Sequence, residues 1–480
     1  MELTGFSFLL YFFPVMLLVH CALRFSTRAQ NVWLVICSAA YFLLNQYFSL
    51  LFLLAGLIVA NYMLGFWVQR QQDAGKKGKI GVILACILNL LPLFLDRILE
   101  PAINVVAGLL DLQIPVFPRM PLGGAFLALQ GISYIVDIYR AKARWDKSII
   151  NSALYFAFFP PLHAGPILRY HSVALQLKQR KICLDDVAKG LSRFIVGLAK
   201  LVLLARPTLS ITEIIFGQSG LSGIYTTVPV SLALLGLLAC VLSIYYYFSG
   251  FSDLVIGLGK MLGFAYPENF DHPQLAPSVN SFWKRCYTSL LAWFDEYVYQ
   301  SLSSKRTNND RMVTHTLIMW LLIAVWLGFG LPKIILAIWS VLFIVVERII
   351  RVDETKFSIL HHFSVLIYML IAAIAFQTDS MYQFTLFISN LFGMRNNGFV
   401  SSLAGTLIKE NWLVLAVGIV CSFPIGTKLR QYAQRHRNLL SGIISLAYPV
   451  AMVLLLALTV LSVSASSYDP YQIIYAHLWR

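Results

Sequence analysis

The chain has 480 residues, of which 59% are hydrophobic and only 12% charged, and its mean hydropathy is +0.73. This balance excludes an ordinary soluble domain and is typical of a polytopic membrane protein. The formal net charge of +15 is spread over short connections between apolar runs, so it indicates membrane topology and not a nucleic-acid partner.

Apolar runs of about 20 residues each, the length needed to cross a bilayer, follow one another from end to end. With no long polar linker between them, we predict one integral membrane domain, residues 1–480. The first apolar run lacks the features of a cleaved signal peptide and is expected to remain in the protein as a membrane span. The candidate spans are 5–24, 31–45, 47–68, 80–99, 122–139, 186–205, 225–248, 312–328, 331–349, 358–377, 411–427 and 439–463.

Basic clusters in the connections predict the orientation of the chain. Clusters at 70–79, 140–147 and 428–437 mark cytoplasmic loops. Both termini are then expected outside the cytoplasm, which requires an even number of crossings. Several of the candidates are short, so we expect about eleven transmembrane helices, with at least one candidate re-entrant or wrong.

The segment 151–170 is the best candidate for a re-entrant piece. Pro160, Pro161, Gly165 and Pro166 interrupt any helix about midway. Irregular backbone at membrane depth is tolerated only where protein or a water-filled cavity satisfies it. The alternative is a loop just outside the bilayer.

Polar residues concentrate between Tyr245 and Leu302. Asp253 is expected to face the protein interior, because an ionised group facing lipid is costly, whereas Lys260 is expected to reach water at the interface. Residues 282–299 interleave aromatic and charged side chains and predict an amphipathic, interfacial helix. The glycines at 257, 259 and 263 indicate helix packing and not a phosphate loop, since no GKS or GKT follows.

The seven cysteines are odd in number and lack CxxC spacing, so neither a disulfide framework nor a metal site is expected. Nothing in the sequence indicates a bound cofactor either. The sequence contains no HExxH or GxSxG motif, and no pair of carboxylates indicates a catalytic site.

The ordered motifs FSGFSD, IGLG, GFAYPENF, SFWKR and AWF with EYVY resemble the membrane-bound O-acyltransferase family. The resemblance is to its bacterial branch, which O-acetylates alginate and transfers D-alanine to teichoic acids. MPLGGAFLALQGISYIVDIYR, FPPLHAGPILRY and both terminal segments extend it over nearly the whole chain, with a core at 120–345. It implies an all-α bundle in which re-entrant and interfacial helices surround a central funnel or tunnel.

The same resemblance implies which residues form the core of the site. Members of the family are understood to use one histidine in the membrane core and a second on the amphipathic segment, and these two positions are expected to lie close together. The residues expected to line the tunnel or core are Tyr247, Ser249, Ser252, Asp253, Trp283, Arg285 and Trp326.

Both family histidine positions are substituted in this chain. The family's Trp-His-Gly reads Trp326-Leu327-Gly328, and the second histidine is Tyr287. Leucine cannot accept a proton, and a tyrosine with a pKa near 10 is a poor base at neutral pH. His163, in the FPPLHAGP break, is the best remaining candidate for a replacement base.

Two functional classes therefore stay open, and the sequence does not decide whether the chain is an enzyme. One is an O-acyltransferase, with a relocated base such as His163, that passes acyl groups, chiefly acetyl, from acetyl-CoA or an acyl carrier to an exported glycan. The other is a catalytically silent member, a pseudoenzyme, that serves the same pathway. Either is expected in the bacterial cytoplasmic membrane, with a glycan synthase or a secreted acyltransferase as a possible partner protein beside the lipid bilayer.

Overall fold

The computed structural model describes residues 3–45, 48–110, 123–216, 228–303, 309–328, 330–350, 359–378, 380–426 and 439–465. Over these ranges the chain is helical, and its only β pairing is one isolated antiparallel bridge between Phe270 and Cys286. The terminal motif SYDPYQIIYAHLWR and the start of MPLGGAF lie outside the described residues.

The first half of the chain contains eleven helices within the described ranges. They are α1 Phe13–Ala22, α2 Thr27–Leu44, α3 Phe48–Asp73, α4 Lys79–Phe94, α5 Glu100–Leu110, α6 Gly124–Tyr139, α7 Ile149–Ala157, α8 Pro161–Ala164, α9 Tyr170–Lys178, α10 Leu184–Ala199 and α11 Arg206–Phe216.

Ten more helices follow in the described part of the second half. They are α12 Val230–Met261, α13 Val279–Arg285, α14 Thr288–Phe294, α15 Gln300–Leu302, α16 Asn309–Leu327, α17 Leu331–Ile349, α18 Ile359–Gln377, α19 Met381–Leu391, α20 Ser402–Ser422 and α21 Leu439–Ala465. Short π-helical turns at Phe8–Phe12, Leu95–Leu99, Lys200–Ala205 and Asp295–Tyr299 continue four of the helices.

Within the part of the chain that the structure describes, six helical stretches are long and apolar enough to cross a membrane. They are Leu51–Asp73, Lys79–Leu99, Leu184–Phe216, Val230–Met261, Ser402–Ser422 and Ala447–Ala465. Four shorter apolar helices accompany them, at Phe8–Ala22, Gly124–Tyr139, Arg311–Leu327 and His361–Gln377. The all-α, polytopic class predicted from the sequence is confirmed.

Several predicted boundaries were wrong. The span predicted at 186–205 continues to Phe216, because a π-helical turn precedes Arg206 and Pro207 falls near the start of α11, where proline is tolerated. The span at 225–248 begins at Val230 and runs to Met261. The span predicted at 411–427 is the helix Ser402–Ser422.

The described chain divides into two compact units. Unit 1 comprises Met1–Phe194, Leu254–Glu268 and Ala292–Ser301, and unit 2 comprises Ile195–Asp253, Asn269–Leu291 and Leu302–Arg480. The chain passes from one unit to the other within α10, after Phe194, and within α12, after Asp253.

Unit 1 is built around α6, in which every residue from Gly124 to Ile138 is buried. In the same unit, Gly257 of α12 lies against α10, where an added Cβ would come within 2.6 Å of the Phe194 nitrogen and 2.7 Å of the Gly190 oxygen. This close approach is the helix packing that the glycine pattern predicts.

The core of unit 2 packs α13 against α17 and α18. Val279, Phe282, Leu336, Val365 and Tyr368 are its largest buried members. This core anchors α13, which carries the start of the predicted amphipathic segment 282–299.

Candidate functional site

The polar stretch of α12 lies inside unit 2. Tyr247, Ser249 and Ser252 are each at most 2% exposed. The Ser249 hydroxyl is buried and has no hydrogen-bond partner among the described residues. Asp253 accepts a hydrogen bond from Lys200 at 2.6 Å, so its carboxylate is ion-paired within the unit. Lys200 lies 53 residues earlier in the chain, and the sequence analysis missed it.

A buried amide, Asn269, joins α12 to the segment of the second family histidine position. Its Nδ2 donates to Ser252 Oγ at 2.9 Å. Its Oδ1 accepts from the Ser289 backbone N–H at 3.0 Å and from the Ser289 hydroxyl at 2.8 Å. Its backbone oxygen accepts from the Thr288 N–H at 2.9 Å. Asn269 was not predicted, although it belongs to the motif GFAYPENF.

The predicted amphipathic helix at 282–299 is broken at Tyr287. The φ angle of this residue is +53°, which is rare for a bulky side chain and ends α13 before α14 begins. The Tyr287 ring packs against Phe248 and Phe270, with centroids 5.5 Å and 6.0 Å apart. The Tyr287 ring is therefore next to Phe248 of the FSG motif.

Trp283 is fixed by contacts from two other helices of unit 2. Its Nε1 donates to the Tyr368 hydroxyl at 2.8 Å, and its ring lies 4.8 Å from that of Trp320 in α16. Arg285, two residues on, is partly buried, and its backbone oxygen accepts from the Asp271 N–H at 2.9 Å.

Trp326 and Leu327 form the end of α16. Trp326 is 3% exposed and Leu327 is half-buried. Gly328 then adopts a φ of +128°, a conformation that favours glycine. Leu327 and Tyr287 belong to the same compact unit, and their mutual approach stays a prediction.

His163 lies in unit 1, in the four-residue helix α8. Its Nδ1 is 3.2 Å from the Phe159 carbonyl oxygen, which only accepts, so Nδ1 carries the proton. Its Nε2, 3.0 Å from the Tyr41 hydroxyl, then accepts from that group. Burial lowers the pKa of His163 to about 4, against an opposing contribution from the Phe159 hydrogen bond. Both ring nitrogens therefore have protein partners.

Unit 1 also contains a network of acidic and basic side chains that the sequence did not predict. The Asp137 carboxylate accepts from the Tyr297 hydroxyl at 2.7 Å, and from the His171 backbone N–H at 2.8 Å and ring Nδ1 at 3.0 Å. Glu296 accepts from Lys142 and, at 2.5 Å, from Arg169. Of these basic residues, the sequence pattern singled out only Lys142, as part of the basic cluster at 140–147.

Asp137, His171 and Glu296 are close enough together to be considered as metal ligands. Their carboxylate oxygens, however, already accept hydrogen bonds from Tyr297, Lys142 and Arg169. Burial opposes ionisation of Glu296, but hydrogen bonds from Lys142 and Arg169 outweigh it and hold the Glu296 pKa below its usual range. This chemistry is that of a structural ion-pair network.

A family model for the membrane-bound O-acyltransferases matches residues 125–385. The chain belongs to this family. The matched range contains both substituted histidine positions, the polar stretch of α12 and the Asp137–Glu296 network. It confirms the resemblance found in the sequence and makes the chain an integral membrane protein.

Relatives of this membrane-bound O-acyltransferase chain extend the similarity almost from end to end. A probable alginate O-acetylase of Azotobacter vinelandii is 27% identical over 97% of this chain and 98% of the relative. A probable alginate O-acetylase of Pseudomonas aeruginosa is 30% identical over 72% of this chain and 66% of the relative. A peptidoglycan O-acetyltransferase of Helicobacter pylori is 25% identical over 70% and 67%.

Proposed function

We propose that this chain acts in the O-acylation of a cell-envelope or exported polysaccharide, moving or helping to move acyl groups, chiefly acetyl, across the bacterial cytoplasmic membrane. The observation that carries the proposal is the near end-to-end similarity to a probable alginate O-acetylase, together with membership of the family. The acyl donor is a cytoplasmic thioester such as acetyl-CoA or an acyl carrier. The partner is a glycan synthase or a secreted acyltransferase.

We further propose that the chain is a catalytically silent member. Acyl transfer to a hydroxyl needs a group that takes the hydroxyl proton, and Leu327 has no atom that does so. Tyr287 is bulky, fixed by aromatic neighbours and held by a strained backbone turn. The contacts around these positions hold the shape of unit 2: the Lys200–Asp253 pair, the Asn269 bonds and the Trp283 contacts.

The alternative, an active enzyme with His163 as base, has less support in the geometry. Its Nε2 lone pair is directed to the Tyr41 hydroxyl, and its low pKa makes it a weak base. Activity through His163 would require Nε2 to give up its hydrogen bond with the Tyr41 hydroxyl.

The test combines an assay in proteoliposomes with one in cells. General-base catalysis contributes about 10²–10⁴ to the rate, so wild-type protein supplied with acetyl-CoA and glycan should be slower by that factor than a relative that retains the histidine. Deletion in cells should still lower the acetyl content of the exported glycan, measured by NMR. Leu327→His alone should not restore turnover, because an unaligned base contributes little.

Turnover as fast as that of the relative would contradict the silent role. Its collapse in His163→Ala, but not in the control His315→Ala, would identify His163 as the base. Unchanged acetylation after deletion would contradict the pathway itself.

A further inference from the structure

A groove in unit 1 lies where α1 turns into α2. It has a volume of about 440 Å³ and is lined by Leu23, Ser26, Arg28, Ala29, Val32, Trp33 and Ile36. Most of the lining is apolar, with the charged side chain at one end.

The apolar lining follows one face of α2. Ala29, Val32, Trp33 and Ile36 are spaced i, i+3, i+4 and i+7, so they form a continuous stripe. From Arg28 to Ile36 the helix rises about 12 Å. That length matches the first eight to ten carbons of an extended acyl chain placed along the stripe, with its polar end at Arg28.

The wall of the groove is held in place. Trp33 Nε1 donates to the Met16 backbone oxygen of α1 at 3.0 Å, which fixes the indole between the two helices. The Ser26 hydroxyl accepts from the Ala29 N–H at 3.3 Å and caps α2. The groove is therefore formed before any ligand arrives.

The polar end of the groove carries positive charge that no carboxylate of the described residues neutralises. Arg28 is exposed and pairs with no carboxylate of the described residues, and Arg24, in the turn before α2, is exposed in the same way. Phe25, between them, is 80% exposed. Exposed arginines beside an exposed phenylalanine at the end of an apolar helix are typical of the headgroup level of a bilayer.

We propose that this groove binds one anionic phospholipid, with the phosphate on the Arg28 guanidinium and an acyl chain along Val32, Trp33 and Ile36. Arginine suits this role because its planar set of donors matches two phosphate oxygens. Basic pockets between membrane helices bind anionic headgroups by the same chemistry. A zwitterionic lipid would cover the apolar stripe equally well. The positive charge of its headgroup, however, would be repelled by the arginines.

The test measures lipid retention by the purified full-length protein. Protein in detergent is mixed with equimolar palmitoyl-oleoyl phosphatidylglycerol and palmitoyl-oleoyl phosphatidylcholine, and bound lipids are counted by native mass spectrometry. Wild type should retain one phosphatidylglycerol in preference to phosphatidylcholine. Arg28→Gln should lower that preference about fivefold, the effect of one basic residue at a membrane surface.

Two further variants separate the groove from general charge effects. Arg70→Gln removes an equal charge at the exposed end of α3 and should leave the preference unchanged. Val32→Trp narrows the groove and should lower lipid retention while the charge stays. Equal retention of both lipids by wild type, an equal loss in Arg70→Gln, or full retention in Val32→Trp would overturn the proposal. Circular dichroism and gel filtration show whether each variant is folded.

Discussion

Glu296 shows how one carboxylate ties together the chain segments of unit 1. It receives Lys142 from the loop after α6 and Arg169 from the segment before α9, and its backbone oxygen accepts from Arg140 at 3.0 Å. Its side chain is only 8% exposed. Three segments that are distant in sequence therefore meet at one residue.

Glu296→Gln should destabilise the protein. Removing one partner from a buried ionic network costs about 3–5 kcal/mol, and partial exposure of Lys142 and Arg169 reduces this to about 1–3 kcal/mol. Unfolding of the purified protein measures the loss. In the control Asp185→Asn, where the pair with Lys189 is exposed, the change should stay within about 0.5 kcal/mol.

The same carboxylate gives a dependence on pH. Since the pKa of Glu296 is lower in the folded protein than its ordinary value of 4.5, its stabilisation is complete above that value and is lost as the pH falls through the lowered pKa. The stability difference between wild type and Glu296→Gln should be constant from pH 5 to 7 and shrink below about pH 4.5. A difference that grows in acid would contradict this assignment.

The sequence located the functional stretch of α12 but not the partners of its polar residues. Because an ionised group facing lipid is costly, Asp253 was expected to face the protein interior, and its pair with Lys200 is consistent with that expectation. The partner itself was not predictable, because nothing local to FSGFSD specifies which distant lysine meets it. The same holds for Ser252 and Asn269, which lie 17 residues apart, on α12 and in the loop that follows it.

The break at Tyr287 was not predicted for a related reason. A positive φ is expected at glycine or asparagine and not at tyrosine, so the residue type gives no signal. The turn is held by bonds from Asn269 to residues 288 and 289. Tertiary contacts have here overridden a continuous amphipathic pattern.

Asn269→Ala should release this turn. The change leaves the Ser289 N–H and the Ser252 hydroxyl without their partner, at a cost of about 2–3 kcal/mol. Maleimide labelling of Cys286, followed by peptide mass spectrometry, should become faster relative to the exposed Cys183 in the same molecule. Asn411→Ala, which loses one bond to the Leu407 oxygen within α20, is the control and should leave the Cys286 rate unchanged.

The packing of α12 on α10 in unit 1 gives a matched pair of glycine substitutions. Gly257→Ala places a methyl group against the backbone of Gly190 and Phe194 and should cost about 1–3 kcal/mol. Gly56→Ala, within α3 and with no atom within 4 Å of its added methyl, should instead stabilise by about 0.5–1 kcal/mol. Thermal unfolding in one detergent compares the two. Equal shifts would mean that the close approach at Gly257 does not contribute to packing.

For the chain as a whole, hydropathy predicted the class and most helices, whereas several boundaries and the number of crossings did not follow from it. For example, α10 continues through the π-helical turn Lys200–Ala205 into α11, beyond the end predicted at residue 205. Substitution of the family histidines was visible in the sequence, because it depends only on residue identity. The distance between Leu327 and Tyr287 depends on packing and stays a prediction.

Orientation in the membrane is the last prediction, and it rests on the basic connections. The connection that carries Arg180 and Lys181 should be cytoplasmic, so the exposed Cys183 beside them should react with a membrane-impermeant maleimide in inside-out vesicles only. Counting back across α20 from the basic loop at 428–437 places Val400, which is 88% exposed, on the opposite side. Val400→Cys in a Cys183→Ser background should therefore react in right-side-out vesicles. Reaction of both positions from the same side would show that an odd number of crossings does not separate them, and the prediction that both termini lie outside the cytoplasm would then be wrong.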